Sequence, residues 1–212
     1  MTAPKIKICG VTTPSAIDAA LAARADYVGF NFHPPSPRFL TPGAAAVLAE
    51  RVQGRVVAVG VFVDADDATI AGAIASGRLD AIQLHGGETP ERAAQVRARF
   101  ELPVWKVLPV ATADDVAKAQ AYSEAADFIL FDARTPKGAM PGGMGLTFDW
   151  SLLAAYRGPL TWGLAGGLTP LNVADAVRET ATPMVDTSSG VETAPGVKDM
   201  DLIAAFCQAA RP

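Results

Sequence analysis

In KIKIC, from Lys5, apolar and polar residues alternate, so Ile6 and Ile8 share one side of an extended chain and Lys5, Lys7 and Cys9 the other. Short runs rich in Val, Ile, Leu and Phe recur after it, at YVGFNF (Tyr27), VVAVGVFV (Val56), DAIQL (Asp80), VWKVL (Val104), DFILFD (Asp127), LTWGLA (Leu160) and MVDT (Met184). By subtraction the starts lie 22, 29, 24, 24, 23, 33 and 24 residues apart. Between them, segments such as SAIDAALAARA and PERAAQVRARF are rich in alanine and place apolar residues three and four apart, which predicts helices. Strand–helix alternation implies a parallel sheet with right-handed crossovers. Eight units and a closing helix in KDMDLIAAFCQAAR predict a (β/α)8 barrel, with a doubly wound open sheet as the alternative. No linker interrupts the series, so residues 1–212 read as one domain.

Two gaps are longer than the rest. One holds HPPSPRFLTPG (His33 to Gly43), the other ARTPKGAMPGGMGLT (Ala133 to Thr147). Both follow the C-terminal end of a strand, the face on which barrels bind ligands.

Strand parity selects the side chains that reach that face. If Ile6 and Ile8 pack on helices, Cys9 points into the barrel at its rim, where a thiolate can act as nucleophile or base. A small buried hydrophobe is the plain alternative for Cys9, and the favoured reading for Cys207 in the final helix. Lys7, one step below, is expected to lower the Cys9 pKa. Asp132 ends the sixth strand on the face of Phe128 and Leu130. Desolvation there would favour its protonated form and suit it to proton donation, whereas strand-end hydrogen bonds would keep it ionised and structural. Asp186 is a less apolar candidate at the end of the eighth strand. Cys9 and Asp132 at separate strand ends can face each other as base and acid with no cofactor between them.

Arg38 sits among prolines in SPRF, and a fixed guanidinium suits bidentate capture of a carboxylate. His33 and His85 lack the spacing of metal ligands, so no metal is expected, and Gln83 and His85 read as hydrogen-bonding groups at the rim. Glycines cluster as Gly142, Gly143 and Gly145 in PGGMG and as Gly166 and Gly167 in LAGGLTP. With Ser188, Ser189 and Gly190 after the eighth strand, they mark the place where barrels commonly seat phosphate.

Composition narrows the function classes. Half of the 212 residues are hydrophobic, 19% are charged and the net charge is −4, with Lys and Arg scattered. That disfavours a nucleic-acid surface, and no apolar run is long enough to cross a bilayer. Two cysteines do not make a disulfide framework and the first residues leave no room for a signal peptide, so a reduced, cytoplasmic protein is expected. The residues do not distinguish monomer from homodimer.

Taken together, KICGVT, GFNFHPPSPR, VGVFVD, QLHGGE, FDARTPKGAMPGGMGLTFDW, LAGGLTPLNV and VDTSSGVETAPGVKD resemble the phosphoribosylanthranilate isomerases of tryptophan biosynthesis, from Lys7 to Asp199. The resemblance implies a metal- and cofactor-free barrel that carries out an Amadori rearrangement of a phosphoribosyl substrate. It implies Cys9 as general base, Asp132 as general acid and Arg38 as the holder of the anthranilate carboxylate. The Gly166 pair with Ser188 and Ser189 would form the phosphate site. Thr187 stands where the family pattern has valine, and the HPPSPR loop carries one proline more. A cysteine ending strand one disfavours the related histidine-pathway isomerase, which pairs two aspartates. The absence there of a glutamate or lysine disfavours the indole-forming synthase. A non-catalytic phosphometabolite-binding barrel would keep the glycine and serine loops without needing both Cys9 and Asp132.

Overall fold

In a computed structural model of the chain, residues 3–134 and 145–211 are described. The strands are β1 (Lys5–Cys9), β2 (Tyr27–Asn31), β3 (Val57–Phe62), β4 (Ala81–Leu84), β5 (Val104–Val110), β6 (Phe128–Ala133), β7 (Thr161–Leu164) and β8 (Met184–Thr187). They pair in chain order into a closed parallel barrel. Pairing of β8 with β1, from Lys5↔Met184 to Ile8↔Thr187, closes it and rules out the open sheet.

Alternation along each strand divides the interior into two clusters. Ile6 and Ile8 pack with helix residues such as Ile17 and Ile203 outside the strands. Val59, Trp105, Val107, Leu130 and Met184 form a separate cluster of strand and loop residues, the lumen. Tyr27, Trp105 and Phe128, with ring centroids 5.0 and 4.8 Å apart, plug its N-terminal end. Lys7 lies between Ile6 and Ile8, so it turns inward, as the parity of KIKIC predicts, and meets Asp186 at 2.9 Å.

The helices are α1 (Pro14–Ala22), α2 (Pro42–Val52), α3 (Asp67–Gly77), α4 (Pro90–Phe100), α5 (Ala113–Ala117), α6 (Val173–Thr180) and α7 (Met200–Ala209). Thr13, Thr41 and Thr89 each precede a proline at the first helical position and accept an N–H from the first turn, so a Thr-Pro pair starts three of them. The sixth unit departs from the regular pattern, with a 3-10 segment at Trp150–Ala155. A hairpin of β9 (Glu192–Ala194) and β10 (Val197–Lys198) departs further, because its residues read as loop and helix start. Pro195 followed by Gly196 at φ +83° supplies its turn.

Aspartates just before β2, β4 and β6 tie the closed end. Asp26, Asp80 and Asp127 accept the backbone N–H of Ile6, Ala58 and Val104 at 2.9, 2.8 and 2.8 Å, each on the preceding strand. Replacing Asp80 with alanine removes one such acceptor far from the open mouth. Thermal unfolding should show a loss of about 1 kcal/mol with turnover at ordinary temperature unchanged.

Candidate active site

A cleft enclosing about 590 Å³, mouth included, opens at the C-terminal end of the barrel. Cys9 from β1 lines it beside β2, where Gly29 is its partner in the strand register. A Cβ on Gly29 would lie 2.7 Å from the Cys9 sulfur, so the glycine leaves room for the thiol. Burial pushes the Cys9 thiol above its ordinary pKa, although Lys7 and Lys198 pull it down. Burial therefore outweighs the lowering by Lys7, and the Asp186 charge beside it adds to the rise.

Asp132 from β6 lines the same cleft, as its parity with Phe128 and Leu130 predicts. It is held by hydrogen bonds rather than set in an apolar pocket. Oδ1 accepts the Ala133 N–H at 2.8 Å, and His85 Nε2 lies 3.2 Å from Oδ2. His85 lines the cleft, but Gln83 does not. The Gln83 side chain is fully buried behind His85, with its amide nitrogen 3.2 Å from Nδ1. This corrects the expectation of a rim group, since the residue two positions back on β4 lies one layer deeper in the lumen.

Asp186 faces the cleft with Oδ2 on Lys7, while its buried Oδ1 has no hydrogen-bond partner among the described residues. Burial pushes this carboxyl up, with Lys7 opposing the shift.

Arg38 also reaches the cleft. Its turn is fixed by the Ser36 hydroxyl, which accepts the Arg38 N–H at 3.2 Å. The carboxylate it captures in two-pronged fashion is internal, with Nε to Glu192 Oε1 at 2.8 Å and Nη2 to Oε2 at 2.7 Å. Lys198 on β10 donates to the same Glu192 at 2.6 Å and to the Ser188 carbonyl at 2.9 Å. Against burial, Arg38 and Lys198 hold the Glu192 carboxyl below its usual range. Sequence reasoning missed Glu192 and Lys198. Their signal was two opposite charges bracketing a Pro-Gly turn.

The loops after β7 and β8 complete the wall. Gly166 has φ +88°, and a Cβ there would lie 2.5 Å from the Ala133 nitrogen. A Cβ on Gly190 would lie 1.9 Å from the Leu168 carbonyl, so both positions require glycine for close approach. The backbone N–H groups of Gly166, Gly167, Ser189 and Gly190 have no acceptor among the described residues. The Ser188 hydroxyl donates to the Cys9 carbonyl at 3.1 Å and so couples this loop to β1. Gly145, at φ +69°, lies near the Ser189 hydroxyl. Gly143, Gly142 and most of the second long loop lie outside the described residues.

These features define a (β/α)8-barrel enzyme whose cleft gathers a thiol, two carboxylates and an imidazole opposite unpaired backbone donors. The model of the N-(5'-phosphoribosyl)anthranilate isomerase family matches residues 6–209, and the chain belongs to that family. A protein of that name from Paramagnetospirillum magneticum is 54% identical, over 98% of this chain and 97% of its own. The crystal structure of phosphoribosylanthranilate isomerase from Thermotoga maritima covers 98% of both chains with a TM-score of 0.87 and 36% identity. Another isomerase structure, at 35% identity and a TM-score of 0.85 over 98% of both chains, is a complex with reduced 1-(o-carboxyphenylamino)-1-deoxyribulose 5-phosphate. The chain accordingly isomerises N-(5'-phosphoribosyl)anthranilate to 1-(2-carboxyphenylamino)-1-deoxyribulose 5-phosphate, a step of tryptophan biosynthesis.

Proposed function

We propose that Cys9 is the general base of this isomerisation and Asp132 the general acid. The observation that carries the assignment is their convergence on one cleft, which also presents the unpaired N–H groups after β7 and β8. Those N–H groups from Gly166, Gly167, Ser189 and Gly190 hold the phosphate, with Gly145 and the Ser188 and Ser189 hydroxyls beside them. Asp132 gives its proton to the furanose ring oxygen, the bond from C1' to that oxygen breaks, and the anilino nitrogen takes up positive charge as an iminium ion. That charge acidifies C2', and the Cys9 thiolate removes its proton. The resulting enol tautomerises to the ketone. Each step moves only protons and electron pairs already present, so no cofactor is required. Asp186 lines the same cleft, and the edge of its carboxylate that faces the opening accepts a ribose hydroxyl.

Arg38 faces the anthranilate carboxylate while Glu192 holds its Nε–Nη2 edge. Turnover followed by the loss of anthranilate fluorescence tests this role. Arg38→Ala should raise KM for the substrate by about 10- to 100-fold, the value of a charge-assisted hydrogen bond, and leave competition by inorganic phosphate nearly unchanged. Equal losses for both ligands would remove the role. The two free thiols and the net charge of −4 fit a protein of the reducing cytoplasm that acts on a small phosphoribosyl substrate rather than on nucleic acid. No described helix is long and apolar enough to cross a membrane.

A further inference from the structure

Three buried or half-buried polar side chains run in series behind the cleft. Asp132 Oδ2 is 3.2 Å from His85 Nε2, and His85 Nδ1 is 3.2 Å from the Gln83 amide nitrogen. The far end, Gln83, is fully buried, and its Oε1 has no partner among the described residues. We propose that Gln83 is a positioning residue of the isomerisation: its amide holds His85 in the neutral tautomer protonated at Nε2, so that the imidazole donates to Asp132 and stabilises the carboxylate left after proton transfer. The inference rests on Asp132 being the general acid.

The polarity of the series follows from its ends. Asp132 Oδ1 already accepts the Ala133 N–H at 2.8 Å, and once Asp132 has given its proton to the ring oxygen the carboxylate has none left to give. In that state His85 must donate through Nε2. A neutral imidazole then offers only a lone pair at Nδ1, and the amide N–H of Gln83 fills it. Among the described residues no donor reaches the Gln83 oxygen, so none there favours the opposite orientation of the amide. An amide also differs from a carboxylate in this place. A carboxylate behind the ring would draw a second proton onto it, and the imidazolium would strip the neighbouring acid of its proton.

The catalytic consequence is differential. The Asp132 proton passes to the ring oxygen, the Nε2 proton stays on His85, and the hydrogen bond between them becomes charge-assisted as the carboxylate forms. Solvent returns a proton to Asp132 while Cys9 releases the one it took. The other charge facing the pair is Asp186 from the β8 end, itself bonded to Lys7 from β1. Below the loop that carries His85, Lys106 donates to Glu88 at 2.7 Å and to the Gly86 carbonyl at 2.7 Å, so the ring sits on a fixed support.

The chain has two histidines, so nitrogen-15 spectra of the His33→Asn protein report His85 alone. The expected spectrum is a neutral ring protonated at Nε2, and a ring protonated at Nδ1 overturns the proposal. Gln83→Leu should lower kcat by about 10- to 100-fold, part of the general-acid contribution, with KM within about threefold. Gln83→Glu should move the alkaline limb of the kcat profile to lower pH, because an imidazolium beside Asp132 favours its ionised form. Wild-type kcat and an unshifted limb in both variants would overturn the role. The spectrum is read without any change at Gln83 and stands whatever Asp132 does. Failure of the acid assignment would show separately, as full turnover in Asp132→Asn.

Discussion

Asp132→Asn should fold, bind phosphate esters and turn over its substrate about 10²- to 10⁴-fold more slowly, and Cys9→Ser should fall as far. Asparagine keeps the shape of Asp132 and its oxygen can still accept the Ala133 N–H, so the strand end survives. What it lacks is a proton acidic enough for the ring oxygen. Serine keeps the place that Gly29 leaves for the thiol but is a far weaker acid, so the base is lost. The two residues act at successive steps on one substrate, so the double variant should be little worse than either single one. Fluorescence of the anthranilate group gives turnover, and melting temperatures within a few degrees of wild type exclude unfolding as the cause. Either single variant at wild-type rate would refute its assignment.

How much of this was readable in the chain depends on the distance over which each interaction acts. Strand starts could be placed to within one residue, because parallel barrel strands are buried on both faces and read as dense apolar runs. Parity then turned Lys7, Cys9 and Asp132 toward the lumen, since alternation is a local property of extended backbone. The glycines after β7 and the SSG turn after β8 were legible for a similar reason, as small residues in sequence next to strand ends. Pairings across the barrel were not legible. Glu192 meets Arg38 across 154 positions, and Lys7 meets Asp186 across 179. No sequence rule ranks such a partner above other charges until β8 closes on β1. The raised pKa of Cys9 is of the same kind, because its largest cause is burial of the thiol in the closed barrel, with the Asp186 charge adding to it. Lys7 looked like a free cation beside the thiol, and only the register Lys7↔Asp186 shows its charge already engaged. Gln83 reads as polar and near the site, and its place one layer below His85 follows from the two-residue step along β4.

That engaged charge gives the second large effect. Lys7→Met keeps the volume of a fully buried side chain and leaves Asp186 in the lumen with neither oxygen paired. Breaking a buried pair by removing one partner costs about 3–5 kcal/mol, against a typical total stability of about 5–15 kcal/mol. The loss should depend on pH in a definite sense. Burial raises the Asp186 pKa in the folded protein and Lys7 restrains that rise, so the variant's carboxyl titrates higher still. A carboxyl with a raised folded pKa favours the folded state below its unfolded pKa, and that advantage is lost as pH rises through the folded value. Wild type and variant should therefore melt closest together below about pH 4, where Asp186 is protonated in both states, and separate as the pH climbs through the raised folded pKa of Asp186 in wild type. Removing Lys7 also takes away an attraction that pulls the Cys9 thiol down. Alkylation of Cys9 by iodoacetamide, followed in a Cys207→Ser background, should shift to higher pH in the variant along with the rising limb of kcat/KM. A uniform stability loss at every pH would mean that the lysine supports the lumen by packing alone, and an unshifted alkylation curve would show that its charge never reaches the base.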